Sequence, residues 1–106
     1  MGEPRLTTPR YRVVMDDGAE HEVRVVNADM VWFDRERARR KDWPAPNEAP
    51  IFWQTCLAWR ALRRTEVLVD MPLRVFEDRA LEVEGLDEAE EAGDGVDPTR
   101  PDLEPE

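Results

Sequence analysis

The sequence predicts an α+β fold: an N-terminal β-hairpin packed on two to three α-helices, with a disordered acidic C-terminal tail. Three observations carry that prediction. Apolar and polar residues alternate on either side of Asp16-Asp17-Gly18, the pattern of two strands joined by a tight turn. Between Asn27 and Leu81 the apolar spacing changes to the three-and-four repeat of helices. From Glu82 onward apolar residues thin out and acids take over. A chain of 106 residues suits one domain of modest core. It divides into a loose arm over residues 1–9, a folded domain over 10–81, and a tail over 82–106.

The hairpin occupies residues 10–26. Tyr11, Val13 and Met15 fall on one side of the first strand, opposite Arg10 and Arg12. His21, Val23 and Val25 oppose Glu22 and Arg24 in the second. Parity decides the register. A two-residue loop at Asp17-Gly18 would set Val13 against Glu22, apolar against charged. A three-residue loop, with Gly18 in the left-handed conformation as a bulge, pairs Val13 with His21 and Tyr11 with Val23. The second register is the predicted one.

A first helix is expected near 29–42, capped by Asn27 or Asp29, with Met30, Phe33 and Arg37 on one face. Acids early and bases late suit its dipole, and Pro44 stops it by Asp42–Trp43. A second is expected near 48–65, with Asn47 as cap, Glu48 in the first turn, and Pro50 where no amide donor is needed. Ile51, Phe52, Cys56, Trp59 and Leu62 cover one broad sector of it, and Trp53 and Leu57 lie further round towards Arg60 and Arg64. A helix this apolar needs two surfaces to bury it, the domain's own core and a partner. Val67 to Val69 leaves three options open: more helix, a short extended piece, or a packed loop. A last short helix is expected near 72–81, with Leu73, Phe76 and Ala80 on one stripe.

Charge is distributed unevenly. The chain carries a net −10, yet residues 1–79 hold fourteen basic and fourteen acidic side chains. The body is neutral, and the whole imbalance sits in the tail. Over residues 86–106, repelling acids and interrupting prolines give the composition of a disordered segment that keeps the protein soluble. One cysteine cannot form an internal disulfide, and no apolar run approaches the roughly 18–20 residues of a membrane span. The first residues lack the apolar stretch of a signal peptide, and Leu6 stands where a myristoylation motif wants Ser or Thr. The expectation is a cytoplasmic protein that does not enter membranes.

The chemistry-bearing residues argue against an enzyme. His21 and Cys56 are the only His and the only Cys, and no local signature makes them a nucleophile pair. They read as a cross-strand hairpin residue and a small apolar helix residue. A zinc site would need two carboxylates besides them, at no recognisable spacing, so no metal or other cofactor is expected. The five glycines are wrongly placed for a phosphate-cradling loop. The basic run Arg35–Lys41 is interleaved with acids on a neutral body, which argues against nucleic-acid binding.

What remains is protein binding. Four tryptophans exceed the needs of so small a core, and Trp and Arg carry most of the energy at protein interfaces. The candidate protein-binding residues are Trp32, Phe33, Trp53, Leu57, Trp59 and Arg60, and either the face around Trp53, Leu57 and Arg60 or the neighbouring Trp32 and Phe33 is expected to stay partly open to solvent in the monomer. An apolar patch of this kind also predicts self-association. Trp53→Ala is expected to spare the fold and weaken binding.

The opening hairpin with Asp17-Gly18, then Asn27-Ala28-Asp29, Trp43-Pro44, the segment Ala49 to Arg64 (APIFWQTCLAWRALRR) and an acidic tail containing Asp97-Pro98-Thr99 together resemble a known group. These are the tail assembly chaperones encoded beside the tail genes of siphophages that infect actinobacteria. The resemblance implies a non-enzymatic helper, acting in the host cytoplasm, that coats the hydrophobic tape measure protein before the tail tube closes around it. It implies the tail tube protein as a further partner, reached through a longer frameshifted form. The family has no active-site residues to carry over. Two other roles fit a protein binder: a structural head–tail or tail component kept in the virion, and an inhibitor that uses its acidic tail against a host nucleic-acid-binding protein.

Overall fold

The computed structural model describes residues 6–86. Strands β1 (Arg10–Met15) and β2 (Glu20–Arg24) are followed by helices α1 (Asn27–Arg39), α2 (Pro50–Arg64) and α3 (Leu73–Arg79), and by strand β3 (Ala80–Leu86). The strands form one antiparallel sheet in the order β2-β1-β3, so the fold is α+β.

The hairpin has the register that parity requires. Val13 lies opposite His21 and Tyr11 opposite Val23. Gly18 takes a positive φ of 92°, and the Met15 amide closes the three-residue loop on the Ala19 carbonyl at 2.8 Å. Tyr11, Val13, Met15, Val23 and Val25 are buried on one face of the sheet. On the other face Arg12 gathers Glu20 and Glu84 at 3.3 Å and Glu82 at 3.8 Å, one cation serving carboxylates from both flanking strands.

Strand β3 corrects the expected boundary of the tail, because residues 82–86 belong to the sheet. Two acids in seven residues hide the strand from a composition reading. They are tolerated because Glu82 and Glu84 are exposed on the solvent face, where Arg12 pairs with both. Val83 lies opposite Val13 and Gly85 opposite Tyr11 on the core side. The turn into β3 is held by Arg79, whose carbonyl accepts the Asp16 amide at 2.8 Å and whose guanidinium pairs with the Asp16 carboxylate at 3.1 Å. Gln54 of α2 donates to the Val83 carbonyl at 2.9 Å. Helix α3 accordingly ends at Arg79 rather than at residue 81. The disorder expected further along, over 87–106, falls outside the described residues.

Thr8 and Pro9, at the end of the arm, are tied to the sheet. The Pro9 carbonyl accepts the Val25 amide at 2.9 Å, and Arg24 donates to the Thr8 carbonyl at 2.6 Å. These bonds extend the hairpin to residue 8.

Helix α2 presses Cys56, Leu57, Ala58, Ala61 and Leu62 into the core beside Phe33 of α1 and Phe76 of α3. It starts at Pro50, with Ala49 and not Asn47 in the cap position. Glu48 instead accepts the Ala45 amide at 3.0 Å, closing a separate turn before the helix. Helix α1 likewise begins behind Val26, and Asp29 acts from its third position by accepting the Val26 amide at 3.0 Å. It stops at Arg39, three residues short of the expectation, because Arg40 is extended and turns the chain back towards Trp43.

Asp29 then ties the elements together. Its side chain has no exposure, yet it is ionically paired: Arg64 Nε approaches Oδ1 at 3.0 Å and Nη2 approaches Oδ2 at 3.1 Å. The same guanidinium donates to the Arg24 carbonyl at 3.0 Å. One knot joins the exit of β2, the start of α1 and the last turn of α2.

Candidate functional site

The aromatic residues converge where α1, the 40–49 linker and α2 meet. Trp32 and Phe33 come from α1, Trp43 from the linker, and Phe52 and Trp59 from α2. Trp43 is the hub. It stacks on Phe33 with ring centres 5.6 Å apart, meets Trp32 edge-on at 6.1 Å and meets Phe52 edge-on at 5.1 Å. Trp32 continues to Trp59 at 5.7 Å. These separations lie in the range where aromatic pairs attract beyond simple area burial.

Helix periodicity explains how α2 serves two sides. Cys56, Leu57, Ala58, Ala61 and Leu62 face the sheet and α3, while Trp59, Arg60 and Arg63 turn towards α1 and the loop after α2. That loop resolves the three options for Val67–Val69 in favour of a packed loop. Glu66 takes φ 65°, its amide donates to the Arg63 carbonyl, and the Val67 amide donates to the Leu62 carbonyl at 2.9 Å. This is the paired-bond stop of a helix C-terminus, here with Glu where Gly is commonest. Leu68 is then buried, and Trp59 Nε1 donates to the Met71 carbonyl at 2.8 Å, fastening the loop beside the indole.

The result is an open groove of about 420 Å³. Its floor and sides are the indoles of Trp32, Trp43 and Trp59, and its far wall is Val69, Pro72 and Leu73. A second shallow groove of about 450 Å³ runs along the other side of the same loop, lined by Val67, Val69 and Val75. Val69 is 65% exposed and forms the ridge between the two. Val67, Val69 and Val75 are all exposed, so the second groove continues the apolar surface past the ridge.

Each groove indole carries a cation. Arg40 lies 5.2 Å from the Trp43 ring centre, Arg60 5.5 Å from Trp32, and Arg63 5.4 Å from Trp59. Arg40 is also bound to Glu36 at 2.9 Å, and Arg39 holds the same carboxylate at 2.8 Å. Those two hydrogen-bonded guanidinium groups, Arg40's first, lower the Glu36 pKa below the usual carboxylate value.

Of the six residues singled out by sequence, Trp32, Trp59 and Arg60 come together here. Phe33 and Leu57 do not stay accessible as expected: they are 1% and 0% exposed, structural members of the core. Trp53 is half-buried against the core edge and lies outside the groove lining. The residue that sequence reasoning omitted is Trp43. Its place beside Pro44 read as a linker, and only the chain reversal at Arg40 brings it onto Phe33. Arg63 was missed as well, although its position four residues after Trp59 was visible.

Cys56 is fully buried, and desolvation, with the Glu77 charge second, pushes its thiol up to about 12. A thiol held protonated in apolar surroundings is a poor nucleophile. Among the described residues no cluster of His, Cys, Asp and Glu is arranged to hold a metal ion, and no helix is long and apolar enough to cross a membrane. Set against protein-family models, curated proteins and solved structures, the chain matches none of them.

Proposed function

We propose that this chain is a non-enzymatic protein-binding helper whose Trp32–Trp43–Trp59 groove covers an apolar segment of another protein during assembly. The observation that carries the reading is the groove itself: three half-buried indoles lining an open depression between two helices and a fastened loop. The resemblance to siphophage tail assembly chaperones supplies the partner. It makes the segment part of a tape measure protein, the tail tube protein a further partner, and the host cytoplasm the place of action.

The physics suits a reversible cover. Apolar area removed from water contributes roughly 25 cal/mol per Å², and a shallow groove takes an amphipathic helix by its apolar stripe without enclosing it. The empty groove and its valine flank favour self-association, so the free protein is expected to form weak oligomers that a partner dissolves.

The test is binding to a purified tape measure fragment by calorimetry, with Trp32→Ala as the probe. Loss of a central aromatic costs at least about 2 kcal/mol, or roughly 30-fold in Kd. An unchanged Kd with an intact circular dichroism melt would exclude the groove as the site. Mass spectrometry of purified particles checks the assembly role, because a helper is absent from them and a structural tail component is retained.

A further inference from the structure

The two arginines on the α2 side of the groove are placed but not partnered. Arg60 and Arg63 lie 5.5 Å and 5.4 Å from the ring centres of Trp32 and Trp59, and neither has a carboxylate within ion-pair distance among the described residues. Arg35, Arg37 and Arg74 likewise have no ion pair among the described residues, but no aromatic ring holds them. Arg10, Arg12, Arg39, Arg40, Arg64 and Arg79 each hold at least one acid. A guanidinium held against an indole has already lost part of its rotamer freedom and keeps its charge. It is therefore pre-arranged for a two-pronged bond to a carboxylate that arrives from solvent.

The local charge agrees. Of the two carboxylates lining the groove, Glu36 is already neutralised by Arg39 and Arg40, which leaves Asp70 on the loop wall. Against that one negative charge stand Arg60 and Arg63. They are three residues apart on α2, so their heads are neighbours on one helix face.

Resting on the groove being the docking surface, we infer that its occupant is an acidic amphipathic helix. An apolar stripe sits on the indoles, and carboxylates one helical turn apart along the stripe's edge bind Arg60 and Arg63. Arginine here selects among apolar segments as well as holding them. A lysine-edged stripe of equal hydrophobicity would bring cation against cation.

The test uses the full chain and three designed helical peptides with one leucine stripe, edged by glutamate, glutamine or lysine, titrated by calorimetry and by tryptophan fluorescence. The glutamate peptide is expected to bind about tenfold tighter than the glutamine peptide, with the lysine peptide weakest, and the spread should shrink as salt rises. Arg60→Gln with Arg63→Gln should erase the ranking among the three peptides. The salt series on the unmodified chain reads the same effect without any variant.

Equal binding of all three peptides would overturn the inference and leave the groove reading standing. Binding by none would overturn both. A stable dimer that no peptide dissociates would assign the groove to a second copy and overturn it too. So would a chain that ignores the peptides until Asp87, Glu88, Glu90 and Glu91 are made neutral amides, because the occupant would then be its own acidic stretch.

Discussion

Arg64 and its neighbours Arg60 and Arg63 sit within two turns of α2, yet they serve regions built on different physics. Arg64 turns inward to a carboxylate with no exposure and to the Arg24 carbonyl, so its charge is consumed in joining three elements. Arg60 and Arg63 lie over indoles at the rim of an open groove and keep their charge available. The knot holds Asp29 wholly buried beneath a guanidinium that is one-third exposed, and the groove is open. One is expected to govern whether the chain folds, the other what the folded chain meets.

The largest effect should come from breaking the knot. Arg64→Ala leaves Asp29 buried with its charge uncompensated, which costs about 3–5 kcal/mol. Arg63→Ala removes one cation–π contact at a partly exposed site, worth about 0.5–1 kcal/mol. Urea melts of the two variants measure the contrast directly. Equal losses would mean that the rim arginines are structural and would break the distinction between the regions.

How much of this was legible in the sequence follows the same division. Local patterns were readable: the parity of Val13 and His21 set the hairpin register, and Pro50 marked the first turn of α2. Pairings between distant residues were not. Asp29 and Arg64 are 35 positions apart, and Asp29 looked like an ordinary cap because its helix-start bond to Val26 is the only local part of its role. Strand β3 was lost to its acids, since Glu82 and Glu84 make sense only once Arg12 lies between the flanking strands. For the site, the aromatic content of α2 pointed to the right helix. Burial then divided that helix in a way periodicity alone could not, sending Leu57 inward and Trp59 outward.

The second prediction sharpens the comparison through the two faces of α2, with a high-pH effect of intermediate size. Cys56 faces the closed side, and burial raises its thiol from the ordinary 9.0 to about 12. Below pH 9 both folded and unfolded thiols are protonated, so the group adds no pH dependence. Between about 9 and 12 the unfolded thiol ionises while the native one does not, so stability falls as pH rises through that window. Cys56→Ala should flatten the fall measured by denaturant midpoints across pH 8–11. At pH 8 the native thiol should resist a thiol reagent that the urea-unfolded chain consumes at once. On the opposite face, acrylamide should quench the groove tryptophans in the folded protein. Rapid native labelling of Cys56 would show that the closed face opens readily and would erase the contrast.

The smallest effect concerns the stop of α2, which divides the two regions in space. Glu66 holds a left-handed φ of 65°, where a residue with a Cβ is disfavoured by roughly 1–2 kcal/mol. Glycine would remove that cost and would return part of it through the larger entropy of the unfolded chain, about 0.5–1 kcal/mol. Glu66→Gly should therefore stabilise by about 0.5–1 kcal/mol, a rise of a few degrees in Tm for a domain of this size. The Glu66 side chain is exposed and lines neither groove, and the backbone bonds to Arg63 and Leu62 survive the substitution. Calorimetric affinity for a groove peptide should consequently stay the same while the melt moves up. A lower Tm would mean that the glutamate makes a contribution its exposure does not reveal. A higher Tm with weakened binding would say more, because the left-handed residue would then be holding the Val69 ridge where the partner needs it, and the strain at Glu66 would belong to the groove and not to the fold.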